Sequence, residues 1–254
     1  NYTYYQPAFV TPGNLSNSES NFAAAGSHEF GHNAGLSHDG TSSDEYYDGH
    51  GSGETGWGPI MGSGYYKDVT QWSKGEYHDA SRTQDDLAII TAELQPRTGG
   101  TGYRADDHGD SRAAASALAV SGGNLIASST TYLAGDETGA NEGIIQTNTD
   151  VDYFSFSTGA GAVSLSVTPY IAPAGRNGTN LDVKLTLEDS SGASVATADP
   201  ASDVDATIAT TLAAGTYYLK IEGTGTGTPL ANPPTGYTAY GSLGQYWITG
   251  SVIN

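Results

Sequence analysis

The sequence contains no cysteine, so a disulfide framework, a thiolate metal site and a cysteine nucleophile are all excluded. Any metal ion must therefore be held by histidine and carboxylate side chains. Basic residues are also scarce, with 9 Lys plus Arg against 28 Asp plus Glu and a formal net charge of −19. Because such a chain repels phosphate-rich partners and anionic membrane surfaces, we expect neither nucleic acid nor membrane among its partners.

Long apolar runs are missing as well, and none approaches the roughly 20 residues that a membrane-spanning helix needs. The chain begins at Asn1 without a signal-peptide pattern, which we interpret as the mark of a processed product. Its 35 Gly, its 17 Tyr and its many Ser, Thr and Asn residues are typical of extracellular bacterial proteins. We therefore expect a secreted, extracellular protein.

A length of 254 residues suits two ordinary domains, each with its own core. The stretch Pro96 to Gly102 is rich in Gly and Pro, which is typical of a connection between domains. We predict a first domain over residues 1–97, a linker over 98–109 and a second domain over 110–254. The predicted fold class is α+β, with an all-β second domain.

Two helices are predicted in the first domain. Residues 18–34 are Ala-rich and free of Pro, with Ser18 or Ser20 as N-cap and Gly35 as the end of the helix. The second helix is predicted to begin at a Thr83 cap and to bury a stripe that includes Leu87 and Ile90. Residues 40–80 show little periodicity and are predicted to be loop.

The second domain changes to a period of two, which is typical of half-buried strands. The alternating runs are 151–156, 163–167, 183–187 and 218–221, and residues 246–248 near the end supply a further strand. Gly-containing turns separate these runs, so the pattern predicts a β-sandwich. Residues 223–236 contain several Gly and Pro residues and are predicted to form one longer loop.

Residues 28–39, with the sequence HEFGHNAGLSHD, carry the strongest chemical signal. His28 and His32 are four residues apart on the predicted helix, so both imidazoles project from one face and can reach one metal ion. Gly35 can adopt a left-handed conformation and turn the chain back, which brings His38 to the same ion. Three protein ligands leave a coordination position open, as in a catalytic zinc site.

This run resembles the pattern H-E-x-x-H-x-x-G-x-x-H of the metzincin zinc metalloproteases, and residues 32–39 resemble the reprolysin-type branch in particular. The resemblance implies that His28, His32 and His38 bind zinc and that a Met-turn lies beneath them. Met61, which is the only methionine and lies 23 residues after His38, is the expected Met-turn residue. The first domain is thus expected to be the C-terminal part of a metzincin catalytic domain.

In the implied mechanism, Glu29 is the general base that takes a proton from zinc-activated water during peptide-bond hydrolysis. Asp39 is expected to anchor the turn that presents His38, in a supporting role outside the ligand set. Tyr65 and Tyr66 favour roles in the core or substrate cleft over zinc binding, and His50 is interpreted as a solvated loop residue. Asp44, Glu45, Asp48 and Glu54 lack an EF-hand spacing and are interpreted as solvated surface residues rather than calcium ligands.

The second domain resembles the bacterial pre-peptidase C-terminal domains, on the strength of residues 150–156, 180–183 and 214–219. This resemblance implies an appended module for secretion, folding or attachment to a substrate, and calcium binding in some members. Asp150, Asp152, Asn180 and Asp182 are the candidate calcium ligands. The alternative for these four residues is the capping of turns at strand ends.

The leading hypothesis is a secreted zinc metalloendopeptidase that acts on proteins or peptides. The rival hypothesis is a truncated, inactive zinc-binding protein whose sandwich binds a substrate or surface, such as extracellular matrix or polysaccharide. The rival arises because only 27 residues precede His28, whereas metzincins place a helix and most of a sheet there. We expect either that a cleaved upstream segment remains associated or that the chain is a fragment with an incomplete cleft.

Overall fold

The computed structural model describes residues 7–122, 124–125, 140–170 and 178–253. The described part of the fold is mostly β, with 35% strand and 18% helix. The predicted α+β class therefore gave the helices too much weight, whereas the predicted sandwich is present. None of the helices in the described ranges is long and apolar enough to cross a membrane.

The elements are as follows. Within the described ranges the α-helices are α1 (Glu19–Ala34) and α2 (Asp86–Thr98), and short 3-10 turns occupy Pro12–Leu15, Gly53–Thr55, Arg112–Ala114 and Ala239–Gly241. The strands are β1 (Trp57–Pro59), β2 (Val69–Gln71), β3 (Ser116–Ala117), β4 (Val120–Ser121), β5 (Asn124–Leu125), β6 (Glu142–Ile145), β7 (Val151–Thr158), β8 (Gly161–Pro169), β9 (Val183–Asp189), β10 (Ser194–Ala198), β11 (Ala206–Leu212), β12 (Gly215–Gly223), β13 (Thr226–Thr228), β14 (Thr235–Tyr237) and β15 (Gly244–Ser251).

The described residues form two compact units, and neither is continuous in sequence. The first unit contains residues 7–104, 178–180 and 225–241, and the second contains 105–122, 124–125, 140–170, 181–224 and 242–253. The chain first passes from the first unit to the second after Arg104, which lies within the predicted linker, 98–109. We predicted an uninterrupted second domain over 110–254. The observed units differ from that prediction, because residues 178–180 and 225–241 belong to the first unit.

The second unit is a sandwich of two sheets. One sheet has the strand order β10-β9-β12-β7-β3, and the other has the order β11-β8-β15-β5-β4, with β6 also paired to β15. Alternate side chains of both sheets fill a single core, in which Phe154, Leu185 and Leu219 of the first sheet join Leu165 and Ile248 of the second. The strands predicted from the period-two runs are confirmed by β7, β8, β9, β12 and β15.

Helix α1 of the first unit begins and ends as predicted. The Ser18 hydroxyl accepts a hydrogen bond from the Asn21 N–H at 3.3 Å, which satisfies one of the free donors of the first turn. At the other end Gly35 adopts a left-handed conformation with φ of 106°, and its N–H donates to the carbonyls of Gly31 and His32.

Helix α2 differs from its prediction at both ends. Its N-cap is Asp85, whose carboxylate accepts from the Ala88 N–H at 3.0 Å, rather than Thr83. The helix also runs through Pro96, which we had assigned to the domain connection, and ends at Gly99 in a left-handed conformation. Pro96 has no N–H to donate to the Ala92 carbonyl, so the last turn of α2 lacks one helical hydrogen bond.

Two regions that we predicted to be loops contain strands. β1 and β2 pair in parallel within residues 40–80, and β13 and β14 form an antiparallel pair within 225–241. The prediction that His50 is solvated is wrong, since only 8% of the residue is exposed. Its Nε2–H donates to the Gly236 carbonyl at 2.6 Å, and its Nδ1 accepts from the Tyr47 hydroxyl at 2.8 Å. Burial lowers the pKa of His50, so the neutral ring is favoured.

The middle of α1 packs tightly onto Met61, whose side chain is fully buried. A Cβ atom added at Gly31 would lie 2.3 Å from Met61 Sδ, with Trp72 and Leu36 atoms at 3.2 and 3.3 Å. Met61 is flexible, but it is fully buried and packs in one apolar cluster with Leu36 and Ile90, which limits how far its side chain can move. The close approach of α1 to Met61 thus requires a glycine at position 31.

Gly31→Ala should destabilise the folded protein by about 1–3 kcal/mol, because the added methyl group overpacks the Met61 contact. Gly26→Ala is the matched control, since nothing lies within 4 Å of its Cβ position in the same helix. That variant should be more stable than wild type by up to about 1 kcal/mol. Urea unfolding followed by the helical circular dichroism signal measures both, and a Gly31→Ala protein as stable as wild type would contradict the packing argument.

Candidate metal centre

His28 and His32 lie one turn apart on α1, and the backbone holds both rings. His28 Nδ1 lies 2.8 Å from the Ile60 carbonyl oxygen, and His32 Nδ1 lies 2.9 Å from the Leu36 carbonyl oxygen. Because a carbonyl oxygen can only accept, each Nδ1 carries the proton and each Nε2 keeps its lone pair. Each ring can therefore offer its Nε2 to a metal ion.

The left-handed turn at Gly35 returns the chain so that His38 reaches the two helical imidazoles. The ring centroids of His28 and His38 are 5.4 Å apart, and those of His32 are 4.8 Å from each of the other two. Each ring contributes one nitrogen to a set of three nitrogens that lie within 4.8 Å of one another. The structure thus brings together the three histidines that the sequence singled out.

The ring nitrogens are arranged as a metal site requires. His38 Nδ1 lies 2.9 Å from Glu45 Oε1, so its Nε2 also faces inward, 3.0 Å from His32 Nε2. Two lone pairs at this distance repel each other unless a cation lies between them. Tetrahedral zinc with nitrogens at about 2.0–2.1 Å places its ligand nitrogens about 3.3 Å apart, so the separation of His32 Nε2 and His38 Nε2 is compatible with this ion.

The electrostatic setting favours neutral imidazole at His28. Burial lowers the pKa of His28, and the neighbouring His32 and His38 lower it further, against a hydrogen bond to Ile60 that raises it. Only the neutral ring can bind a metal ion, so the lowered pKa extends the range in which His28 is ready as a ligand.

Glu29 lies next to His28 on α1 and is half-buried. The charge of Glu29 acts to raise the pKa of His28, although burial dominates and lowers that pKa overall. For Tyr65, burial raises the pKa, and the charge of Glu29 raises it further. These effects indicate that Glu29 lies near His28 and Tyr65. Tyr66 differs from Tyr65, because it is 87% exposed and points into solvent.

Asp39 is buried, with 3% of the residue exposed. Its backbone forms hydrogen bonds with two other segments of the first unit. Its N–H donates to the Met61 carbonyl at 2.8 Å, and its carbonyl accepts from the Tyr47 N–H at 2.8 Å. Burial, followed by the nearby Glu76, raises the pKa of Asp39 to about 7. Because these hydrogen bonds are made by the backbone, the supporting role of the Asp39 side chain and the Met-turn role of Met61 both stay predictions.

An open cavity of about 590 Å³ adjoins the site, and His32 and His38 form part of its wall. Its other lining residues include Leu36, Ser43, Glu45 and Arg82. A separate small recess is lined by residues that include His28, Ile60 and Tyr65. Each of the three imidazoles therefore lines a concave part of the surface.

Sequence reasoning missed Glu45 and Tyr46 as parts of this site. Glu45 accepts from His38, although we had interpreted it as a solvated surface residue, and the Tyr46 ring centroid is 4.1 Å from that of His38. Both residues lie in an irregular loop, so no helical or strand periodicity connects them to His38. Their position seven and eight residues after the third histidine gives no sequence signal for these contacts.

Carboxylates gather at a second place, in the sandwich unit. Oxygens of Asp106, Asp107 and Asp152 lie within 4.8 Å of one another, as do those of Asp106, Asp110 and Asp150. Burial raises the pKa of Asp152 to about 8 and that of Asp150 to about 6. We refer to these five residues as the aspartate cluster.

Asp152 is the innermost residue of the aspartate cluster, with 0% exposed. Its Oδ2 accepts from the Tyr246 hydroxyl at 2.5 Å, whereas its buried Oδ1 has no hydrogen-bond partner among the described residues. A buried oxygen of this kind is costly unless a proton or a cation compensates it.

Two of the four predicted calcium ligands, Asp150 and Asp152, belong to the aspartate cluster. The other two do not, because Asp182 is in neither carboxylate group and the Asn180 amide donates to the Thr70 carbonyl at 2.5 Å. The prediction joined residues with similar local patterns. It missed Asp106, Asp107 and Asp110, which precede the strands and follow no alternation.

Comparison with known proteins gives one family match. Residues 150–223 match the bacterial pre-peptidase C-terminal domain, which covers β7 to β12 of the sandwich. The chain therefore carries a domain of this kind, as its sequence predicted. The matched segment lies wholly outside the histidine site, so that site must be interpreted from its own geometry.

Two solved structures show weak similarity to the chain. The pre-peptidase C-terminal domain of a collagenase from Bacillus anthracis is 16% identical, with coverage of 43% of this chain and 84% of that one and a TM-score of 0.29. A periplasmic inhibitor of g-type lysozyme from Aeromonas hydrophila is 13% identical, with coverage of 48% and 92% and a TM-score of 0.26. Similarities this weak carry no argument about function. No curated protein sequence matches the chain.

Proposed function

We propose that the chain is a zinc-dependent endopeptidase of metzincin type, with an appended pre-peptidase C-terminal domain. The observation that carries this proposal is the convergence of three imidazoles whose Nδ1 ends are each hydrogen-bonded to an oxygen. Such acceptors fix the tautomer and orientation of metal-binding histidines in proteins. His28, His32 and His38 are the proposed ligands.

The proposed mechanism uses few groups. His28, His32 and His38 would hold a zinc ion, which when bound would supply a Lewis acid and a water whose pKa is lowered to about 7. The Glu29 carboxylate accepts the proton from the attacking water and delivers it to the amine nitrogen of the leaving group. The charge of Glu29 acts on His28 and Tyr65, which supports a place for that carboxylate beside the site.

The substrate class follows from the surroundings. Open cavities beside the imidazoles suit an extended polypeptide, and the net charge of −19 disfavours polyanions. Pre-peptidase C-terminal domains are typically C-terminal modules of secreted proteases. That setting supports the proposals of an extracellular location and of a protein or peptide substrate.

The second candidate is a zinc-binding protein without peptidase activity, which acts through its sandwich. One observation favours it, namely that Ala25 and Gly31 are the only buried residues of α1. The exposed Phe22 and Phe30 leave an apolar part of this helix uncovered. A helix that carries catalytic groups is normally packed on more of its surface.

The two candidates give different results with Glu29→Gln. We expect the zinc-loaded wild-type chain to cleave an unfolded protein substrate and to lose this activity to a chelator. Glu29→Gln should lower the rate about 10²–10⁴-fold, because the general base is lost, while zinc still binds. Glu19→Gln, an exposed change in the same helix, is the control that should leave the rate unaltered. Stoichiometric zinc without any cleavage by wild type would instead assign the second candidate.

We further propose that the aspartate cluster binds calcium, since carboxylate oxygens are the preferred ligands of this ion. The buried Asp152 Oδ1 without a hydrogen-bond partner supports the proposal, because a cation would compensate it. Repulsion among five carboxylates would be relieved by the same ion. Calcium would then stabilise the folded sandwich by mass action.

Asp106→Asn tests this proposal, because Asp106 is exposed and belongs to both carboxylate groups. Calcium should raise the thermal unfolding midpoint of the wild-type chain, and Asp106→Asn should lose most of that increase. Asp199→Asn, at an exposed position in the same unit, removes the same charge and should retain the increase. An equal calcium response in wild type and Asp106→Asn would refute the site.

A further inference from the structure

The loop that follows His38 is closed at its base by backbone hydrogen bonds. The Tyr47 N–H donates to the Asp39 carbonyl, and the Thr41 N–H donates to the Asp44 carbonyl, both at 2.8 Å. A Cβ atom at Gly40 would lie 2.3 Å from the Asp44 oxygen, so the two sides of the loop meet at a glycine. This tight closure brings the residues after Asp44 back to His38.

Buried aromatic contacts fix the base of the loop. Tyr47 stacks on Tyr77, with centroids 4.6 Å apart and planes only 8° from parallel. Tyr77 is 1% exposed, and its hydroxyl donates to the Gly40 carbonyl at 2.8 Å. The Ser81 N–H donates to the same carbonyl at 2.9 Å. The base is therefore rigid, although residues 42–46 at its tip are exposed.

Two neighbouring residues at this tip lie against His38. Glu45 Oε1 is 2.9 Å from His38 Nδ1, although 72% of the Glu45 side chain is exposed. The Tyr46 ring lies over the imidazole, with centroids 4.1 Å apart and planes inclined by 36°. Glu45 thus contacts the edge of the His38 ring, and Tyr46 contacts its face.

His38 differs from the other two proposed ligands in what holds it. Backbone carbonyls orient His28 and His32, and both rings lie on a helix. His38 lies in a loop, and its Nδ1 meets a carboxylate side chain instead. A carboxylate on the distal nitrogen raises the basicity of a metal-binding imidazole and fixes its orientation. Without it, the ring would have to lose rotamer freedom on binding the metal.

We propose that Glu45 and Tyr46 are positioning residues that hold the His38 imidazole in its metal-binding orientation and thereby set the zinc affinity of the site. This inference rests on the proposed zinc site, because it concerns the third ligand of that site. It adds two residues outside the H-E-x-x-H-x-x-G-x-x-H motif. Both act through His38 rather than on the substrate.

The test is the zinc dissociation constant of the full chain, measured by competition with a chromogenic chelator. Glu45→Ala should weaken zinc binding about 10–100-fold, which is typical for loss of such a partner. Glu45→Gln keeps an oxygen that can accept from Nδ1–H, so its affinity should lie between those of wild type and Glu45→Ala. Tyr46→Ala should weaken binding, whereas Tyr46→Phe keeps the ring and should bind as wild type does.

Asp44→Ala is the matched control, because it removes the same charge one residue away and should leave zinc affinity unchanged. The thermal midpoint of metal-free Glu45→Ala should equal that of metal-free wild type, since the carboxylate is exposed. Equal zinc affinity in Glu45→Ala and wild type would overturn this inference alone. Equal losses in Asp44→Ala and Glu45→Ala would also overturn it, because a general charge effect would then suffice. A wild-type chain that binds no zinc would overturn the metal site itself.

Discussion

The left-handed turn at Gly35 is the constraint on which the candidate site depends. With φ of 106°, this residue ends α1 and reverses the chain within three residues of His38. A side chain at this position would strain the backbone, and a continued helix would carry His38 away from the other two imidazoles. The Leu36 carbonyl beyond the turn also orients His32, so one reversal supplies a ligand and the acceptor for another.

A second glycine, Gly31, determines how closely α1 packs against the segment that contains Met61. Gly31 lets α1 approach Met61, and the Ile60 carbonyl next to Met61 holds His28. The Met61 carbonyl in turn accepts from Asp39, directly after His38. The short segment 60–61 therefore contacts both ends of the run 28–39, at His28 and at Asp39. The imidazole positions are set by backbone contacts at His28 and His32 and by two exposed side chains at His38.

The parts of the fold with regular periodicity could be predicted from the sequence. Alternating apolar residues predicted β7, β8, β9, β12 and β15, and the capping residues Ser18 and Gly35 predicted the bounds of α1. Both signals are local, because they arise from the geometry of a single strand or helix. The grouping of the three histidines followed from helical spacing and one glycine.

Contacts distant in sequence could not be predicted in this way. His50 is buried because its ring bonds to Gly236, and no local pattern connects positions 186 residues apart. Residues 223–236 are predicted to be one longer loop of the second domain, yet β13 there pairs with β14, and residues 225–241 belong to the first unit. The aspartate cluster likewise joins Asp150 and Asp152 to three residues that precede the sandwich strands.

X-ray absorption spectroscopy at the zinc edge, performed on the zinc-loaded chain, tests the central claim most directly. The account predicts one zinc per chain with three imidazole nitrogens at about 2.0–2.1 Å and one or two further oxygens. A spectrum with fewer than three imidazoles, or a chain that retains no zinc after dialysis, would contradict it.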